Sequence, residues 1–351
     1  MGRDGALEPS AEILAQAEAI NRDRFKYTDR DHPAVAALYE LGICTLVQEL
    51  ERRPDRYDRS GEPAPSGDRK SFAPLDPMKL MQSEVQLPSL PQVVLELQEL
   101  IASPDSSASD IAEVISRDVS LSAFLLRMVN SAFYSFPSQI DTISRAVALV
   151  GTQQLSTLAL GTSVLGLFSD IPAHVVDMEA FWRHCTACAI ISRNLGVMLK
   201  ENEPERYFVA GLIHDIGHLA MFQAIPEQIG EALRRAHDQG ALPYEAEREV
   251  LGFDHSRLGS MLLRKWNFPF SIVMAVLNHH SPAKAKEIRA PAIVHFADVM
   301  THALGLASNL CFHVPPLSPE AWDELALPLE AIRELAAARE EMDALYSLLF
   351  A

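Results

Sequence analysis

Residues 91–101 read Pro-Gln-Val-Val-Leu-Glu-Leu-Gln-Glu-Leu-Ile. Val93, Leu97, Leu100 and Ile101 recur at three- and four-residue spacing, so they share one face of a helix, and Pro91 suits its first turn. Leu155, Leu158, Thr162 and Leu165 form a second stripe of the same period. The pattern predicts short helices at about 91–102, 108–117, 120–133, 141–150, 152–168, 179–200, 205–216, 226–239, 244–251, 255–265, 270–280, 289–304 and 328–349. No run alternates apolar and polar residues as a half-buried strand would, and no fixed-period repeat points to a solenoid. The expected fold class is all-α.

Upstream, Ala11–Ile20, with Ser10 as its cap, and Pro33–Leu50 read as two further helices. The stretch 51–78 carries Pro, Gly and charges with few apolar anchors, which predicts a flexible linker open to proteolysis near Arg53, Arg56 and Arg69. The expected organisation is an N-terminal helical extension over 1–50, the linker over 51–78, a main domain over 79–305 and a C-terminal helical extension over 306–351.

The 351 residues carry a net charge of −17. That balance argues against nucleic acid, whose binders need a basic footprint, and against an anionic membrane surface. The most apolar run, Leu158–Phe168, is too short to span a bilayer, and no secretory signal is visible. Four cysteines are too few for a disulfide framework, so a reducing, cytoplasmic setting is expected. Cys185-Thr-Ala-Cys188 is a single CxxC without a second pair, read as small residues packed mid-helix.

Of the 12 histidines, ten fall between His184 and His313, and only His32 and His174 precede them. Such a cluster invites a metal reading, because neutral imidazole and carboxylate ligate Zn, Fe and Mn. His184 sits in a helix. His214-Asp215 sits near a helix end, with Gly217 placed to adopt the left-handed conformation that stops a helix. Adjacent residues at a loosening helix end can both turn inward, and a carboxylate there can bridge two ions. Asp254 can cap the helix that follows His255. His279-His280 ends another helix ahead of Ser281-Pro282. Asp298 lies mid-helix among apolar residues and needs a partner; His295 and His302 share its face. Each signal alone has an ordinary structural reading.

Their order resembles the HD superfamily of metal-dependent phosphohydrolases, and more closely the HDOD family, the HD-related output domain of bacterial signalling proteins. The resemblance rests on Leu87-Pro-Ser-Leu-Pro-Gln-Val-Val, Ser116-Arg-Asp-Val-Ser-Leu, Leu125-Leu-Arg-Met-Val-Asn-Ser-Ala-Phe, Ile143-Ser-Arg-Ala-Val-Ala-Leu-Val-Gly, Phe181-Trp-Arg-His, Gly211-Leu-Ile-His-Asp-Ile-Gly-His, Gly252-Phe-Asp-His-Ser-Arg-Leu-Gly, Trp266-Asn-Phe-Pro and His279-His. It covers about residues 80–305. It implies two helical lobes, 79–170 and an HD-like lobe over 175–305, and a signalling output role with signalling proteins as partners. It also implies one or two divalent ions, Fe, Mn or Zn, on a ligand set mapping to His184, His214, Asp215, His255, His279, His280 and Asp298. Two features of the related cyclic dinucleotide phosphodiesterases are replaced: His218 stands where a lysine is common, and Ser281-Pro-Ala-Lys-Ala-Lys stands where Gly-Tyr-Pro is expected.

Two readings follow. One is a non-enzymatic signalling module acting through protein interaction, with or without a bound metal. The other is an active metal-dependent phosphohydrolase on a nucleotide or cyclic dinucleotide, with Asp215 and His214 as its catalytic residues.

Overall fold

The computed structural model of the chain describes residues 9–54, 70–82, 87–131, 134, 136–168, 171, 176–308 and 310–350. Residues 55–69 of the expected linker, and His174, lie outside them. The described residues contain helices and no strand. Their order is α1 (Ala11–Arg24), α2 (Pro33–Arg52), α3 (Pro77–Gln82), α4 (Gln92–Ala102), α5 (Ala108–Arg117), α6 (Val119–Val129), α7 (Ile143–Val150), α8 (Thr152–Thr162), α9 (Met178–Met198), α10 (Pro204–Leu212), α11 (Ile216–Ala224), α12 (Pro226–Gln239), α13 (Pro243–Leu251), α14 (His255–Lys265), α15 (Phe270–Asn278), α16 (Arg289–Ala303), α17 (Pro319–Leu325), α18 (Glu330–Ala336) and α19 (Arg339–Phe350). Short 3₁₀ turns follow α8 (Leu165–Phe168) and α15 (Pro282–Lys284).

The helix starts are written in the sequence. Ser10, Asp118, Thr142, Asp177, Asp254 and Ser318 each accept a hydrogen bond from the first turn of the helix they precede, satisfying a backbone N–H that the helix leaves unpaired. Ser107 and Asp110 close a capping box at α5. Proline opens α2, α10, α12, α13 and α17, where its missing N–H costs nothing. Asn130 ends α6 as a two-way clasp. Its Nδ2 donates to the Leu126 and Ile140 carbonyls (2.8 and 2.7 Å), and its Oδ1 accepts from Ile140 N (2.7 Å).

Two lobes share one apolar core. Helices α4–α8 form the first and α9–α16 the second. They meet where α8 packs on α10, where Gln98 Nε2 donates to the Trp266 carbonyl (2.6 Å), and where Trp266 Nε1 donates to Pro88 O (3.2 Å). The flanking segments wrap the second lobe: α2 and α17 lie on α16, and α19 lies on α9. Residues 70–82 run along the same lobe, with Leu75 N donating to Leu251 O (2.8 Å) and α3 against α14.

Some elements differ from expectation. The stretch 205–216 breaks at Leu212, and a separate helix, α11, begins at Ile216. The expected 328–349 helix is two, α18 and α19, and α17 was not anticipated.

Candidate metal centre

The second lobe is built around α9 and α16, which pack against each other and are buried along most of their length. His184 on α9 and Asp298 on α16 therefore face one another in the interior, with His184 Nε2 3.4 Å from Asp298 Oδ1. The chain between α10 and α11 delivers His214 and Asp215 to the same point. His184 Nε2 lies 3.3 Å from His214 Nε2 and 3.8 Å from Asp215 Oδ2.

Helix α14 brings the second half. It crosses α11 so closely that a Cβ on Gly217 would lie 1.9 Å from the His255 carbonyl oxygen and 2.9 Å from Gly259 N. This corrects the expected role of Gly217. It does not stop a helix; it lies inside α11 and lets two backbones touch. The contact sets His255 Nε2 3.2 Å from Asp215 Oδ1. His279, at the end of α15, places Nε2 3.7 Å from the same oxygen. His280 Nε2 lies 2.8 Å from His255 Nε2. All seven residues singled out from sequence thus meet within one lobe. Asp215 stands between two groups, His184, His214 and Asp298 on one side and His255, His279 and His280 on the other.

The ring nitrogens are oriented. Nδ1 of His184, His214 and His279 each faces a backbone carbonyl, of Leu306 (3.2 Å), Gly211 (2.8 Å) and Val276 (2.7 Å). Nδ1 of His255 faces Glu247 Oε2 (2.7 Å). A carbonyl can only accept, so Nδ1 carries the proton in the first three, and Nε2 presents a lone pair to the cluster. Nε2 of His279 has no hydrogen-bond partner although it is buried. Leaving such an atom unsatisfied is costly, and the lone pairs of His184, His214 and His279, converging with His255 beside two carboxylates, make a donor set that suits a divalent metal. Four groups of side chains have ligand atoms mutually within 4.8 Å: His184, His214, Asp215; His255, His279, His280; and two that add His302 beside His184 and Asp298, and His218 beside Asp215 and His255.

Electrostatics agree with ligand-ready protonation at His184 and His279 and differ at His255, where burial lowers the ring but the Glu247 and Asp215 carboxylates outweigh it and push it well up. Burial pushes His184 down, and burial with His214 and His255 pushes His279 down to about 3, so both rings are neutral near pH 7. Burial alone would raise the Asp215 carboxyl, but His214, His255 and hydrogen bonding from His218 outweigh it and hold it well below the usual carboxylate range. Asp298 is held down in the same way, chiefly by His302 against its burial.

Sequence reasoning saw His302 and His295 as equal partners of Asp298. Only His302 pairs with it, Nδ1 to Oδ1 at 3.0 Å. His295 instead braces the backbone beneath the ligands: Nδ1 bonds the His279 carbonyl (2.7 Å) and Nε2 accepts from Ser318 N (2.9 Å). Helix α16 is buried all round, so position on one face does not choose between them.

Two residues were missed. Glu247 is fully buried and bonds His218 Nε2 through one oxygen and His255 N and Nδ1 through the other, at 2.7–2.8 Å. Those two rings stack at 3.7 Å. Tyr244 stacks on His280 at 4.1 Å. Tyr244, Glu247 and Leu251 recur at helical spacing on a buried face of α13, a signal obscured by the surrounding Glu245, Arg248 and Glu249. Cys185 and Cys188 are buried in α9 with their thiols pushed up by burial, as packing residues would be.

An all-helical, two-lobed chain with a His/Asp cluster at a helix break defines an HD-type architecture. The HDOD domain profile matches residues 87–282, more than half of the chain, and the chain belongs to the HDOD family. An uncharacterized protein of Treponema pallidum is 26% identical over 61% of this chain, and the match spans 42% of that protein's length. The fold is similar to an HDOD domain protein of unknown function from Geobacter sulfurreducens, at TM-score 0.66 and 22% identity over 78% of this chain and 97% of the other. It is also similar to a Shewanella amazonensis protein described as "Putative phosphohydrolase", at TM-score 0.61 and 25% identity over 77% and 97%. No helix among the described residues is long and apolar enough to cross a membrane.

Proposed function

We propose that this chain is a signalling output module that presents its helical surface to partner proteins, with an HD-type centre holding one or two divalent ions as a narrow, non-catalytic core. The observation that carries this reading is how little room the centre leaves. The cavity touching Asp215, His255, His280, Asp298 and His302 has a volume of about 20 Å³, room for about one water and not for a nucleotide. Leu242–Tyr244 and the segment around Ser308, Leu310, Cys311 and Pro315 narrow it. That segment is tied to the N-terminal helices. Val314 N donates to Arg24 O (2.8 Å), Tyr27 sits edge-on to His313, and the Tyr27 hydroxyl donates to the Gly240 carbonyl.

A second reading, the metal-dependent phosphohydrolase, is favoured by the completeness of the donor set and by the Shewanella neighbour's description. In that reading bound ions would supply an activated water and neutralise phosphate charge. His184, His214, Asp215 and Asp298, with His255 and His279 or His280, would hold them.

The test is a survey of phosphodiester hydrolysis, cyclic dinucleotides included, on purified full-length protein whose metal content has been measured. The expected result is retained metal with turnover no faster than in chelated protein. Metal-dependent turnover that disappears in Asp215→Ala would instead establish the phosphohydrolase.

A further inference from the structure

Outside the narrow cavity lies a second, much larger recess of about 550 Å³, between the start of α14 and the end of α15. Its volume is that of ordinary small-molecule sites. Arg248, Arg257 and Lys284 line it, with Asp254 the one carboxylate among its lining residues. Asp254 is fully engaged: Oδ2 takes Arg248 Nε (2.6 Å), and Oδ1 takes Ser256 Oγ (2.6 Å) and Arg257 N (3.0 Å). No carboxylate of the described residues lies within ion-pair distance of the Arg257 guanidinium or the Lys284 ammonium, and both side chains are on exposed residues at the recess. Two uncommitted cations at one open recess stand out in a chain of net charge −17, and with Asp254 engaged by Arg248 the excess positive charge there attracts anions.

The recess also adjoins the metal centre. His280 lines both it and the inner cavity. Its Nε2 is 2.8 Å from His255 Nε2, while its Nδ1 is buried without a hydrogen-bond partner. Lys284 comes from the 3₁₀ turn Pro282–Lys284, in the Ser-Pro-Ala-Lys stretch that follows the paired histidines. Phe253 and Leu277 add apolar wall beside the cations.

We infer that this recess binds a phosphate-bearing ligand of mononucleotide size, its phosphates on Arg257 and Lys284 and its apolar part against Phe253 and Leu277. Guanidinium and ammonium groups are the side chains that take phosphate oxygens in charge-assisted bonds. The ligand is held outside the narrow centre and read through His280. The inference does not depend on whether the centre is metallated.

The test is calorimetric titration of full-length protein with ADP and with pyrophosphate, before and after chelation, for wild type and Arg257→Ala/Lys284→Ala. Both substituted side chains are exposed, so the double variant should keep its fold and metal content, read by circular dichroism and elemental analysis. The expected result is binding of both probes that survives chelation and weakens at least about tenfold in the double variant, with partial recovery in Arg257→Lys/Lys284→Arg. Three results would overturn the inference: no binding of either probe, binding unchanged in the double variant, or binding lost on chelation yet kept in the double variant. The last would place the phosphate on the ions themselves. Absence of metal in wild type, with probe binding intact, would count against the metal centre and leave the recess standing.

Discussion

Asp215→Ala is expected to empty the metal centre. The Asp215 carboxylate lies within 3.8 Å of five imidazoles: His184, His214, His218, His255 and His279. Its oxygens reach both ligand groups. Removing it takes away the bridging acid and about one unit of negative charge from a site otherwise rich in neutral nitrogen. Ion retention should fall by well over about 10–100-fold, the loss typical of removing even an outer-shell partner. Because ion binding adds to folding stability by mass action, the thermal transition should fall as well, and should stop responding to added metal. His237→Ala supplies the control: that ring is exposed on α12 and belongs to none of the ligand groups, and its loss should leave metal content and melting unchanged. Elemental analysis and a melting series with and without chelator read both effects. Equal metal content in Asp215→Ala and wild type would show that the ions sit elsewhere.

Gly217→Ala should be the most destabilising single-methyl change in the second lobe, by about 3 kcal/mol or more. The added Cβ would meet backbone atoms at 1.9, 2.7 and 2.9 Å, not a side chain that could swing aside. Relief requires α11 and α14 to part, and that movement carries His255 away from Asp215. The variant should therefore lose metal together with stability. Gly230→Ala, in the middle of α12, is the opposite case. Nothing lies within 4 Å of its added Cβ, so the better helix former should stabilise by about 0.5–1 kcal/mol. Chemical denaturation of the two variants beside wild type measures both signs. A neutral Gly217→Ala would mean the α11–α14 crossing is looser than described.

The contrast between these glycines shows where sequence reading stops. Local signals were legible because they act over one helical turn: Ser10 ahead of α1 and Asp254 three residues before Arg257 both cap the helices they precede. The His/Asp set was legible through its residue types and order, and the structure brings those seven side chains together across more than 110 residues. Gly217 was misread because a glycine beside a helix break looks the same whether it supplies a left-handed turn or a close approach. Only the position of α14, set by distant contacts, separates the two. Glu247 was invisible for a related reason. A lone acid among surface charges carries no mark of being buried until His218 and His255 are placed around it. His295 and His302 were indistinguishable on a helix that is buried on every side.

The account rests on the proposal that the lone pairs converging on Asp215 hold divalent ions. Crystals of the full-length protein, grown without chelator and measured on both sides of the Fe, Mn and Zn absorption edges, test it most directly. The account predicts an anomalous peak bonded to Asp215, at about 2.0–2.2 Å from Nε2 of His184 and His214, of His255 and His279, or of both pairs. Anomalous maps without a peak at Asp215, from protein that elemental analysis shows to carry metal, would contradict it.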